Sequence, residues 1–197
     1  MQHIPGDLLA IDRKDRARTP SLELDYRAPQ TRVCDFDEVI LPFDAETARY
    51  EAARCIHCPD PAPCVRACPA GNDIPSALWL IEQGDFNAAA DLYRQTSALP
   101  EICSRVCPQD ILCEGACVVG KHGSPVQNGA LEKFAVDYQR QMGNLPAAAP
   151  APNGHRVAIV GAGPSGLAAA EALARKGYAV TLFAAKPQPG GLLLYGI

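Results

Sequence analysis

Apolar positions fall into two regimes along the 197-residue chain: helical spacing through most of its length, then a strand–helix–strand alternation at its end. Residues 1–43 show weak periodicity among many Pro, Arg and Asp residues, which predicts a segment lying extended over a partner or over the rest of its domain. From Asp44, the spacing of Ala45, Ala48, Ala52 and Ala53 among charged residues predicts a helix that delivers Cys55 at its C-terminal end. Asp73, with Pro75 in the first turn, caps a second predicted helix carrying Leu78, Trp79, Leu80 and Ile81, and Gly84 stops it. Asp85 caps a third, with Phe86, Ala89, Leu92 and Tyr93. Helix packing accounts for Trp79 and Tyr93 in this hairpin without an electron-transfer role. A further helix is expected from about Ala130 to Met142, with Glu132 in its first turn.

Residues 144–154, NLPAAAPAPNG, have no apolar period and read as a semi-rigid linker. Beyond them, Arg156–Val160 predicts a strand, Leu167–Lys176 a helix and Tyr178–Phe183 a second strand. Gly161, Gly163 and Gly166, with Pro164 and Ser165 between them, form G-x-G-x-x-G at the strand-to-helix turn. There glycines permit the tight turn, let backbone approach a pyrophosphate and allow close helix–sheet packing. A dinucleotide site commonly places an acidic residue after the second strand to hold the ribose. Here Ala184, Ala185 and Lys186 follow Phe183, so either the ribose is held from elsewhere or Lys186 meets a 2′-phosphate. A strand–helix–strand unit cannot close a doubly wound sheet, so exposed apolar surface and a longer polypeptide are expected.

Net charge is −4 and uneven: residues 155–197 carry four basic and one acidic side chain, leaving −7 for the first 154. That balance argues against general nucleic-acid binding. No apolar run is long enough to span a bilayer, the N-terminus does not read as a targeting signal, and a cytoplasmic location is expected.

Eight of nine cysteines stand in two blocks, Cys55, Cys58, Cys64, Cys68 and Cys103, Cys107, Cys113, Cys117, with spacings C-x2-C-x5-C-x3-C and C-x3-C-x5-C-x3-C. Pro69 and Pro108 follow Cys68 and Cys107. Disulfides would need an oxidising compartment. Zinc sites favour paired C-x2-C units, of which one is present. The Cys-Pro step and close spacing point instead to iron–sulfur clusters, two for eight cysteines. In two-cluster ferredoxins the cysteine before the proline ligates the other cluster, so Cys68 is expected to cross toward the second block. Cys34 reads as a solitary thiol and His57 as a neighbour of the site, not a ligand. Glu132 has two readings, a carboxylate favourable at a helix N-terminus or an oxygen ligand to iron.

The runs CIHCPDPAPCVRACPAGNDIP, ICSRVCPQDILCEGACV, RVAIVGAGPSGLAAAEAL and FAAKPQPGGLLLYGI resemble the small (beta) subunit of NADPH-dependent glutamate synthase and related FAD/iron–sulfur oxidoreductases, including the N-terminal region of dihydropyrimidine dehydrogenase. The resemblance covers roughly residues 45–197. It implies an α-helical ferredoxin-like iron–sulfur domain over 44–143, holding two 4Fe-4S clusters, followed by the first βαβ part of an α/β Rossmann-like FAD-binding domain over 155–197. Carried over by position, Cys55, Cys58, Cys64 and Cys117 would hold one cluster. Cys68, Cys107, Cys113 and Glu132 would hold the other, and Cys103 would be free. Gly161, Gly163, Pro164, Ser165 and Gly166 would meet FAD, with Gly190, Gly191 and Leu192 bordering the flavin; Ala184 departs from the family's acidic residue.

The function so implied is electron transfer from NADPH, bound outside this segment, through FAD and the clusters to a partner flavoprotein. That partner would be the glutamate synthase large subunit, and no side chain here would act as an acid–base catalyst. Alternatives are the same architecture serving a pyrimidine reductase or a ferredoxin-NADP oxidoreductase, a zinc-stabilised interaction module, or an assembly scaffold. This segment alone is expected not to oxidise NADPH.

Overall fold

Asp44, Asp73 and Asp85 each start a helix by accepting a backbone N–H three residues on, from Thr47 (2.7 Å), Ser76 (3.4 Å) and Ala88 (3.1 Å). The computed structural model describes residues 12–145 and 150–196, which fall into two units, 1–144 and 145–197. The first unit is helical: α1 (Arg13–Arg18), α2 (Pro29–Arg32), α3 (Ala45–Ala52), α4 (Pro63–Ala67), α5 (Ile74–Gln83), α6 (Phe86–Thr96), α7 (Pro100–Val106) and α8 (Asn128–Gln141). Tight single turns at Gln109–Ile111 and Val118–Lys121 join α7 to α8. Parts of the expected N-terminal segment and linker lie outside the described residues.

The predicted hairpin forms as α5 and α6, with Gly84 in the left-handed region (φ 85°) accepting the reversal. Its apolar faces join α3 and α8 in one core of Ala48, Ala52, Leu78, Ile81, Tyr93, Leu131 and Phe134, among others. Phe86 meets the rings of Phe134 and Tyr138 edge-on, at 4.9 and 5.0 Å between centroids. Helices α1, α2, α4 and α7 were not legible in the apolar spacing. They are short, and each starts from a local signal instead: Asp12 caps α1, and a proline opens α2, α4 and α7. Residues 12–43, expected to run extended, therefore contain two helical turns and an isolated bridge between Tyr26 and Ile40.

A buried ion pair ties this unit together. Arg54 Nη1 donates to Glu51 Oε1 at 2.5 Å, and the guanidinium also reaches the carbonyls of Thr19 (3.0 Å), Ser124 (2.6 Å) and Pro125 (3.0 Å). Glu51 accepts the backbone N–H groups of Leu22 (3.3 Å) and Gln127 (3.0 Å). Three distant stretches thus meet beside Cys55.

The second unit pairs β1 (Arg156–Val160) with β2 (Ala179–Phe183) in parallel, Arg156 opposite Ala179, joined by α9 (Pro164–Ala174); α10 (Leu192–Tyr195) follows. Val160 and Phe183 remain exposed. Among the described residues no helix is long and apolar enough to cross a membrane.

Candidate functional site

The two cysteine blocks use the same turn of helix. Each of α4 and α7 opens on a proline and closes on a cysteine that itself precedes a proline, Cys68 and Cys107. A residue before proline is pushed out of the helical region, and both cysteines leave their helices extended, at φ −78°, ψ 119° and φ −68°, ψ 134°. Their N–H groups still bond back to the carbonyls of Cys64 (3.1 Å) and Cys103 (3.0 Å). Cys68 and Cys107 thus leave their helices by the same backbone turn, in which Cys103 holds the place that Cys64 holds in the other.

Cys55, Cys58, Cys64 and Cys117 ring one apolar cavity, walled by Ile74, Leu78 and Val119 and bordered also by Cys113. Cys55 follows α3, Cys58 lies in the next loop, Cys64 is in α4, and Cys117 begins the turn before α8. Burial pushes the Cys64 thiol up to about 12, and Cys117 and Cys58 add to it. Cys55 is pushed further up by burial, with Cys64, Cys117 and Cys58 contributing. Neutral thiols are what burial favours here; a bound metal reverses this by deprotonating the thiols that coordinate it. Among the described residues no three His, Cys, Asp or Glu side chains group tightly enough for a single metal ion. The four thiols instead surround a space, an arrangement that fits the four-cysteine ligation of a cluster.

Beyond this ring, Cys107 lies within electrostatic reach of Cys103, Cys68 and Glu132, and Cys113, which borders the ring's cavity, within reach of Cys68. Burial raises Cys107, with Cys103, Cys68 and Glu132 as the charges it senses. Cys113 is driven to about 11 by burial, against a hydrogen bond from Asn128 that lowers it. Glu132 is 9% exposed, its Oε1 has no partner, and burial pushes its carboxyl up to about 8. A buried polar atom left unpaired is costly, and an iron would supply the missing partner. Helix α8 starts two residues earlier than its apolar pattern indicated, so Glu132 lies beyond the first turn and the helix terminus does not explain it.

The remaining candidates separate clearly. Cys103 Sγ stands 3.5 Å from Ser97 Oγ, and Cys34 is exposed, donating to the Gln30 carbonyl at 3.4 Å. His57 is buried, with φ 46°, edge-on to Trp79; its Nε2 is 3.8 Å from Glu82 Oε2, and neither ring nitrogen has a hydrogen-bond partner. Tyr93, read from the sequence as packing alone, has a buried hydroxyl without a partner, and Glu132, Cys113, Cys64 and Cys55 surround it electrostatically. No spacing rule marks such a residue.

In the second unit the structure brings Gly161, Gly163, Gly166, Gly190 and Gly191 together. Gly161 adopts φ 104°, and a Cβ on Gly166 would stand 1.9 Å from its carbonyl oxygen, so loop and helix meet backbone to backbone. A Cβ on Gly161 or Gly163 would meet nothing, which leaves the loop open to a ligand at the start of α9, where Pro164 and Ser165 sit. Gly190 N donates to the Ala162 carbonyl at 2.7 Å, and Gly191 (φ 55°) packs on Gly163, with Leu192 opening α10. Lys186 Nζ lies 5.7 Å above the Tyr195 ring.

Residues 32–144 match the family described as dihydropyrimidine dehydrogenase domain II, 4Fe-4S cluster, and residues 159–194 match the NAD(P)-binding Rossmann-like domain. Relatives include the small chain of NADPH glutamate synthase from Escherichia coli, 42% identical over 167 residues (84% of this chain, 35% of the relative). The small chain from Halomonas elongata is 38% identical over 188 residues (95% and 38%). The NAD-dependent dihydropyrimidine dehydrogenase subunit PreT of Escherichia coli is 38% identical over 161 residues (82% and 39%). The chain spans between 26% and 39% of the length of the curated relatives it matches.

Proposed function

Because the chain belongs to the dihydropyrimidine dehydrogenase domain II, 4Fe-4S cluster family, we propose that it forms the electron-relay end of an NADPH-dependent iron–sulfur flavoprotein. When bound, FAD would supply hydride acceptance from NADPH, and two 4Fe-4S clusters would supply one-electron transfer toward the flavin of a partner. In this reading Cys55, Cys58, Cys64 and Cys117 hold one cluster, and Cys68, Cys107, Cys113 and Glu132 hold the other. What supports it is a four-thiol ring beside a second group of thiols, where the buried Glu132 carboxyl, within electrostatic reach of Cys107, has an oxygen without a partner.

The protein's own part is placement and dryness. Leu78, Ile74 and Val119 give the first ring apolar walls, and the core formed with α5, α6 and α8 packs against Cys55, Cys64, Cys68, Cys113 and Cys117. Gly161, Gly163, Pro164, Ser165 and Gly166 would hold the FAD pyrophosphate, with Gly190, Gly191 and Leu192 bordering the flavin. We assign the glutamate synthase large subunit as partner, since small chains of that enzyme recur among the relatives; the PreT relatives favour a pyrimidine as the competing acceptor.

The test is iron and acid-labile sulfide per chain after anaerobic purification. Wild type should carry about eight of each, Glu132→Ala about four, and Cys103→Ala about eight, as two 4Fe-4S cores require. Zinc in a colourless protein would overturn the assignment. Loss in Cys103→Ala but not Glu132→Ala would move the fourth donor to Cys103.

A further inference from the structure

Helix α1 lies ahead of the family-matched segment 32–144, yet two of its arginines, the half-buried Arg16 and the exposed Arg13, end on the first cysteine loop. Arg16 Nη1 donates to the carbonyls of Ala53 (2.9 Å) and Cys55 (3.2 Å). The same guanidinium grips both carboxylate oxygens of Glu82, on α5, at 2.8 and 2.7 Å. Arg13 Nη2 reaches the His57 carbonyl at 3.3 Å. Among the described residues, no backbone N–H reaches these three carbonyls. The loop cannot satisfy them itself, because after α3 it turns through His57 in a left-handed conformation that breaks any regular pattern.

We propose that α1 is a strap built into the first iron–sulfur site: Arg16 and Arg13 hold the Ala53, Cys55 and His57 carbonyls, and Arg16 locks the loop to α5 through Glu82. Cys55 and Cys58 thereby keep the geometry that retains the cluster. The inference rests on the cluster reading above. Arg16 and Arg13 are positioning residues, acting through the loop and not on iron. Two parallel contacts to a carboxylate plus two to carbonyls need a planar fork, which lysine cannot supply. The charges of Arg16 and Glu82 largely offset one another, so Arg16 acts mainly through geometry. Arg13 instead adds positive charge beside Cys58, with which it lines one surface hollow, and this favours the more negative, reduced cluster.

The experiment uses the full chain, purified anaerobically, as wild type, Arg16→Gln, Arg16→Lys, Arg13→Gln and the control Arg27→Gln, whose contacts with Asp35 and Asp37 touch neither cysteine block. Circular dichroism checks folding, and iron passing to ferrozine is followed in time. In both Arg16 variants half of the iron should leave about tenfold faster than in wild type while the other half keeps its rate; Arg27→Gln should match wild type. In Arg13→Gln, electron paramagnetic resonance during a redox titration should show one cluster harder to reduce by about fivefold in the reduced-to-oxidised ratio. That is a shift of about 40 mV at 59 mV per tenfold for one electron.

Wild-type release rates in both Arg16 variants, or equal acceleration of both halves, would overturn the strap. Should Arg16→Gln fail to fold, Arg16→Lys decides by the same two outcomes. A wild-type chain without iron would instead sink the cluster reading itself.

Discussion

Cys64 and Cys103 occupy the same place in one local motif, four residues before a Cys-Pro step, yet their surroundings differ. Cys64 faces a cavity shared with Cys55, Cys58 and Cys117. Cys103 sits against Ser97, while the unpaired buried acceptor near Cys107 belongs to Glu132, on another helix. Spacing along the chain therefore nominates candidate ligands, and packing distinguishes them. The first block is also held through its backbone carbonyls by α1, whereas the second is tied through a side chain, Arg105, to Glu38 and to Asp137 on α8.

The Glu51–Arg54 pair gives the largest way to break this contrast, since it joins the first block to the approach to α8, which carries Glu132. Removing one member of a buried, fully bonded ion pair leaves the other uncompensated. Arg54→Ala should cost about 3–5 kcal/mol of unfolding free energy and lower iron at both sites together, read by urea unfolding and metal analysis. Loss confined to one site would show that the two blocks are supported separately.

A sharper contrast lies in the glycine loop. Gly166→Ala would set a methyl 1.9 Å from the Gly161 carbonyl oxygen, so the backbone has to move; Gly163→Ala meets open space. FAD binding by the chain should weaken at least about tenfold, or about 1.4 kcal/mol, in Gly166→Ala, with a lower melting temperature. Gly163→Ala should weaken binding alone. Equal melting temperatures in the two would show that the loop yields without cost.

Much of this arrangement was legible from residues. Aspartate caps and Gly84 set the ends of α5 and α6, and strand, glycine turn and helix appeared in the order a dinucleotide site needs. The proposed crossing of Cys68 toward the second block rests on the proline that follows it. Helices α4 and α7 were missed because five to seven residues hold too few apolar positions to show a period. Glu132 was placed in a first turn because the apolar pattern of α8 begins only after Asn128 and Gly129. The burial of Tyr93 among both sets, and the reach of Arg16 across 66 residues to Glu82, are long-range facts that no local signal carries.

The smallest effect concerns that same Glu82, which distinguishes the first block from the second by its acid sensitivity. Burial alone would raise its carboxyl, but His57 and Arg16 outweigh burial and pull it down to about 2. A carboxylate lowered in the folded chain contributes stability above its unfolded value of about 4.3, and that contribution is lost as pH falls from there toward 2. Its side chain is 17% exposed and partly screened, so the contribution is discounted to about 1 kcal/mol. In the metal-free chain, Glu82→Gln should lower the urea midpoint at pH 6 and match wild type near pH 2. A deficit that persists undiminished at pH 2 would mean that Glu82 acts by packing, and that its charge contributes nothing to holding the first cysteine loop.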